Sequence, residues 1–154
     1  MTDTSNCNLP VDFYYLVEHH VWARPEPSHV QHPAPSNRVV KVGVTDVFQA
    51  LAEQIMFFTP RRVRREVKRG HPIAVLESGK WLGVVPNPVE GEVVEYNPAV
   101  SEDPTVLNRD PYHDGWIARV RVLQWDVKQQ GLVTGDEGVA SYRQFLEQEG
   151  IRCR

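Results

Sequence analysis

The chain has 154 residues, 41% of them hydrophobic, and 20 acidic against 17 basic side chains give a formal charge of −3. That size suits one domain with its own core, and the charge balance argues against general nucleic-acid binding. No stretch approaches the roughly 18 apolar residues of a membrane helix, and the chain opens with neither a basic start nor an apolar h-region, so a soluble, cytoplasmic protein without a membrane partner is expected.

In chain order, residues 1–10 read as a flexible tail, 11–127 as the main domain and 128–154 as a helical segment packed on it. The cysteines are Cys7 and Cys153, one near each end. Two cysteines build neither a disulfide framework nor a zinc site. They read either as inert tail thiols or as redox thiols that exchange with a bound disulfide cofactor or pair with each other. The aromatic run Phe13-Tyr14-Tyr15 leads into Glu18-His19-His20-Val21-Trp22. His29 and His32 have a ligand-like spacing, but no cysteine or acid recurs at matching intervals, and no metal is expected.

Prolines 25, 27, 33 and 35 make residues 24–38 a loop. A strand follows over Arg38–Val44. Thr45 and Asp46 then offer N-cap side chains to a helix from Val47 to Gln54, with Gln49 in capping-box register to Asp46 and with Val47, Leu51 and Ile55 on one face. From Thr59 to Arg69 the chain carries Arg61, Arg62, Arg64, Arg65, Lys68 and Arg69 around a lone Glu66. This band reads as a solvated face or as a docking surface for an anionic partner.

The most informative stretch is Ile73–Val85, where two β-branched-rich runs flank a short polar turn. It predicts a tight hairpin with Lys80 at or beside its tip. Gly79 leaves the amine open to another protein's active site. Gly91–Tyr96 alternates like a half-buried strand, Ile117–Val122 reads as another, and Val139, Tyr142, Phe145 and Leu146 line a helix ending at Gly150.

Glu77-Ser78-Gly79-Lys80, followed eleven residues on by Gly91-Glu92-Val93-Val94, resembles the lipoyl-lysine hairpin of the glycine cleavage H-protein family. Tyr15 with His20-Val21-Trp22, Gly43-Val44-Thr45-Asp46 before a short helix, and Asn108-Arg109-Asp110-Pro111-Tyr112 through Gly115-Trp116 also match, so the resemblance spans about residues 10–150. Biotin carriers set their lysine between methionines, whereas Gly79 and Trp81 flank Lys80 here.

The resemblance implies a mainly β fold with short helices, a lipoyl-domain-like barrel or sandwich with a C-terminal helix. It implies lipoic acid in amide linkage on Lys80, with Glu77, Ser78, Gly79 and Trp81 recognised by a lipoate-protein ligase or lipoyl transferase. A dithiolane ring cannot reach the roughly 90° dihedral a disulfide prefers, so it opens readily to a thiolate. The domain would then be a swinging carrier, not an enzyme, reoxidised by dihydrolipoamide dehydrogenase.

The family's cargo-contacting acid, helix histidine and second acid fall on Val21, Leu51 and Val84. Aliphatic side chains offer an ammonium cargo no partner to offset its desolvation. The chain accordingly looks most like the lipoate-binding proteins of bacterial sulfur oxidation, working beside a heterodisulfide-reductase-like complex and sulfur-transfer proteins. The alternatives are a glycine cleavage carrier serving glycine decarboxylase and aminomethyltransferase, and an unmodified interaction module.

Overall fold

A computed structural model describes residues 5–27 and 36–154. His29 and His32, weighed above as metal ligands, lie outside the described residues. The first strand, β1 (Tyr14–Leu16), leads through a 3-10 turn at Val17–His19 into β2 (Val21–Pro25). After β3 (Ser36–Val44) come the helix α1 (Asp46–Ala52), β4 (Ile55–Pro60) and β5 (Arg65–Val67). The hairpin strands β6 (Pro72–Ser78) and β7 (Leu82–Pro86) precede β8 (Gly91–Tyr96), α2 (Pro98–Glu102) and α3 (Val106–Arg109). The chain finishes with β9 (Ala118–Gln124), α4 (Val127–Gln130), the short β10 (Val133–Thr134) and α5 (Gly135–Glu149).

These strands form two antiparallel sheets, one ordered β10-β1-β2-β3-β9-β8-β5 and the other β4-β6-β7. The expected mainly β architecture with a C-terminal helix is what the structure shows. Its main core fills the space between the sheets. Val40, Val42 and Val44 of β3, Val120 and Val122 of β9, and Ile73, Ala74 and Leu76 around β6 are all nearly or wholly excluded from water. Period-2 alternation in β3 and β9 sends these side chains inward, and each buried aliphatic contributes roughly 1.5–3 kcal/mol.

A second cluster lies under the C-terminal helix. Val139, Tyr142 and Leu146 of α5 pack with Phe13, Tyr15, Trp22 and Tyr112. Trp22 donates from Nε1 to the carbonyls of Val44 at 2.8 Å and Pro111 at 3.1 Å. A Cβ on Gly43 would sit 2.6 Å from its ring, so β3 needs glycine there. The helix ends where expected, with Gly150 at φ 67° donating to the Leu146 and Glu147 carbonyls.

Three local expectations change. Residues 5–10 are not a loose tail in the structure: Cys7 and Leu9 are buried in the second cluster, and the backbone N–H of Asn8 donates to Asp46 Oδ2 at 2.7 Å. Strand β2 runs on to Pro25, into the stretch read as loop, because Arg24 and Pro25 still pair with Lys41 and Val40. The helix after β3 stops at Ala52, so Val47 is buried, Leu51 is exposed and Ile55 opens a strand instead of completing a helical face.

Candidate functional site

Strands β6 and β7 meet in a two-residue tip. Ser78 receives hydrogen bonds at Oγ from the backbone N–H groups of Lys80 at 3.3 Å and Trp81 at 3.1 Å, and its own N–H donates to the Trp81 carbonyl at 2.8 Å. The buried serine thus closes the turn and leaves Gly79 and Lys80 as its outermost residues. The Lys80 side chain is 74% exposed, and a Cβ added at Gly79 would meet nothing within 4 Å. Glu77 is exposed beside Leu82, its cross-strand partner. Lys80 Nζ donates to Glu53 Oε1 at 3.0 Å, a residue the sequence had not marked.

On one side of the tip lies a cleft of about 460 Å³. Phe48, Leu51 and Ala52 of α1 form one wall, Trp81, Val84 and Pro86 of the hairpin another, and Glu18, His19, His20 and Gly70 the rim. Trp81 stands edge-on to Phe48 at 5.3 Å between ring centroids. The cleft is mostly apolar. Of the three cargo positions inferred by alignment, the structure brings Leu51 and Val84 to this cleft and leaves Val21 elsewhere. Val21 is wholly buried in the main core because β2 turns that side chain inward.

The turn before β2 supplies what Val21 does not. Glu18, His19 and His20 reach the rim, and the Glu18 carboxylate lies 3.8 Å from Arg69 Nη1. His20, at φ 56°, stacks on Tyr142, with Nδ1 2.6 Å from the tyrosine hydroxyl. Burial, aided by the neighbouring His19, pushes its imidazole down to about 4. A neutral ring there offers the cleft a hydrogen-bonding wall. The sequence marks His20 only through the His20-Val21-Trp22 motif and gives it no place at a cleft. A polar turn leading into a buried strand was the available signal.

The basic band is exposed along the edge strand β5 and the end of β4. Arg61, Arg62, Arg64, Arg65 and Lys68 face solvent, and Arg69 brings the band's last charge to the cleft rim through Glu18. Cys7 and Cys153 are joined as a disulfide, with 5.0 Å between their Cα atoms. Beside them Arg154 pairs with the buried Asp46 at 2.8 Å. Burial alone would raise the Asp46 carboxyl, but hydrogen bonds from Arg154, the Asn8 backbone and Gln49 hold it below its ordinary value. The sequence marks Asp46 as a cap and as the end of the Gly43–Asp46 motif, with no sign of an ion pair. In the structure Thr45 Oγ1 caps α1 by accepting from Phe48 N–H at 3.3 Å, which frees Asp46 for Arg154.

Comparison with known proteins agrees with this geometry. Residues 14–148 match the family described as Glycine cleavage H-protein. The chain is 40% identical over 147 residues to glycine cleavage system H protein 2 of Aquifex aeolicus, covering 96% of this chain and 86% of that protein. It is 38% identical over 157 residues to the probable glycine cleavage system H protein 2 of Sulfolobus acidocaldarius, covering 100% and 98%. The crystal structure of a glycine cleavage system H protein from Mycobacterium marinum superposes with a TM-score of 0.71 at 26% identity, over 93% of this chain and 100% of that one.

Proposed function

The chain belongs to the glycine cleavage H-protein family, lipoyl carriers with lipoic acid on a lysine, and on that premise we propose that Lys80 is the lipoylated residue and the root of a swinging arm. The carrying observation is the hairpin tip itself, a 74%-exposed lysine held out by a buried serine next to a mostly apolar cleft. The residues present fit the group. Trp81, Phe48, Leu51 and Val84 give its aliphatic chain a surface to lie on, and the open space at Gly79 admits a lipoate-protein ligase or lipoyl transferase. The bound lipoyl group supplies a disulfide that opens to two thiols. This chain's residues hold and present it, so the chain acts as a shuttle for partner enzymes and performs no catalysis of its own. The exposed band from Arg61 to Lys68 would dock partners with acidic faces.

The relatives, named glycine cleavage system H proteins, support a place in glycine cleavage; in that reading an aminomethyl cargo passes between glycine decarboxylase and aminomethyltransferase and the arm is reoxidised by dihydrolipoamide dehydrogenase. One observation favours a second reading. The two cargo positions that do reach the cleft are aliphatic, and the one carboxylate on its rim among the described residues, Glu18, is shared with Arg69. A cationic amine has little to pair with there, whereas sulfur held by the arm's thiols needs no carboxylate. In that reading the partners are a heterodisulfide-reductase-like complex and sulfur-transfer proteins.

Intact-mass measurement on protein purified from its own host without reductant, with the added mass mapped to a residue, tests both levels. A lipoyl group on Lys80 is expected. An unmodified Lys80 in fully active protein would leave only an interaction module. A residual aminomethyl adduct assigns glycine cleavage, and extra sulfur atoms assign sulfur oxidation.

A further inference from the structure

Helix α1 separates two depressions. Phe48, Leu51 and Ala52 face the apolar cleft, while Gln49, Ala50 and Glu53 line an open groove of about 450 Å³ on its other side. Asn108 helps form that groove by donating from Nδ2 to the Glu53 carbonyl at 2.7 Å and to Gln49 Oε1 at 3.1 Å. Two features lie along it. Glu53, the partner of Lys80 Nζ, belongs to its lining, and so does Cys153. Cys153 is the accessible half of the disulfide, since Cys7 is only 5% exposed. The root of the arm and the disulfide are therefore served by one groove alongside a seven-residue helix, a length of about 10 Å. An acylated lysine of this kind reaches on the order of 10 Å or more from the backbone.

We propose that the Cys7–Cys153 disulfide is an intramolecular redox partner of the arm on Lys80, taking two electrons from it when the arm is in its dithiol form. The inference rests on Lys80 being the lipoylated residue. Cys153, which lines the groove, receives the attack of an arm thiolate at its Sγ. The Cys7–Cys153 bond breaks, Cys7 leaves as a thiolate and takes up the proton the attacking thiol gave up. The arm's second thiol then displaces Cys153, which leaves with the second proton as the arm's own disulfide closes. One disulfide is reduced and one formed, two electrons and two protons move, and no outside oxidant is needed. The apolar cleft is then where the arm shelters, and the polar groove is where it exchanges.

The test follows the opening of Cys7–Cys153 by limiting dithiothreitol, roughly 0.1 mM, using acid quenching, alkylation of free thiols and peptide mapping. The full-length protein is used, with its lipoyl group first confirmed on Lys80 by mass. A tethered thiol acts at an effective concentration in the mM range, so opening in the lipoylated protein is expected about tenfold faster than in the unlipoylated protein or in Lys80→Arg. The oxidised lipoylated Cys7→Ser variant is expected to yield a Lys80 peptide joined to a Cys153 peptide through the arm. Equal opening rates in all three proteins overturn the proposal, as does a Cys7→Ser protein lacking the joined peptide. Absence of a lipoyl group on Lys80 overturns the carrier reading itself, a result the first mass measurement separates from the other two.

Discussion

Glu53 accepts a hydrogen bond from Lys80 Nζ at 3.0 Å while its own backbone sits at φ 63° and ψ −154°. Side chains rarely occupy that region, and holding one there costs on the order of 1–3 kcal/mol. The strain falls on the residue that touches Lys80. Acylating Lys80 removes the charge that Glu53 faces and releases the carboxylate.

Replacing Glu53 separates backbone from ion pair. Both partners are more than half exposed, so Glu53→Ala, which keeps the strained φ, is expected to change stability by less than about 1 kcal/mol. Glu53→Gly relieves the strain and loses roughly 0.5–1 kcal/mol to glycine's greater freedom when unfolded, for a net gain near 1 kcal/mol over Glu53→Ala. Urea denaturation of the two variants decides; a glycine variant no more stable than the alanine one refutes the strain account.

Gly83→Ala should disturb the cleft directly. An added Cβ would lie 2.1 Å from Trp81 Cζ2, so the indole must leave its edge contact with Phe48. A loss of about 1–3 kcal/mol is expected, with a red-shifted tryptophan emission as the ring meets water. Unchanged fluorescence would mean that the ring has room the structure does not show.

His20 predicts an acid-side weakness. Its folded value of about 4 lies below the ordinary 6.5, so the unfolded chain binds this proton first. Its stabilising effect is complete above pH 6.5 and lost as pH falls towards 4, at no more than about 1.4 kcal/mol per pH unit and less after solvent screening. Urea midpoints measured across that window should fall in the native protein and flatten in His20→Gln. Asp46, held below its ordinary value, acts in a separate window: its contribution is present above about pH 4 and lost below.

Removing the disulfide should be costly. Cys7 and Cys153 are 146 residues apart, and closing so long a loop is worth about 5 kcal/mol in the chain-entropy model. The Cys7→Ser, Cys153→Ser double variant is expected to melt roughly 10 °C lower, with the Lys80 side chain still exposed because neither cysteine belongs to the β6–β7 hairpin. A melting point within 2 °C of the native protein would show that the ends are held by packing alone.

The hairpin was legible because its determinants are local: two apolar runs, Ser78 to close the turn, and a glycine beside Lys80. Strand Gly91–Tyr96 and the end of α5 at Gly150 were equally local and fell where expected. What sequence could not supply depends on contacts between distant segments. Val21 was aligned to the cleft, yet its position on β2 sends it into the core, while Glu18 and His20 reach the rim from the turn before. The burial of Cys7 and Leu9 requires Tyr112 and the C-terminal helix, more than 100 residues away.

Strand β1 is paired on one side by β10, with Tyr14 opposite Thr134, and Cys7 is tied to Cys153, 146 residues on. During synthesis the first strand therefore waits for a partner made more than 100 residues later. Such distant pairings slow folding and leave edges open meanwhile. A product terminated a few residues early would keep its hairpin but lack both Cys153 and Arg154, leaving the carboxylate of Asp46 buried beside an unfastened N-terminus.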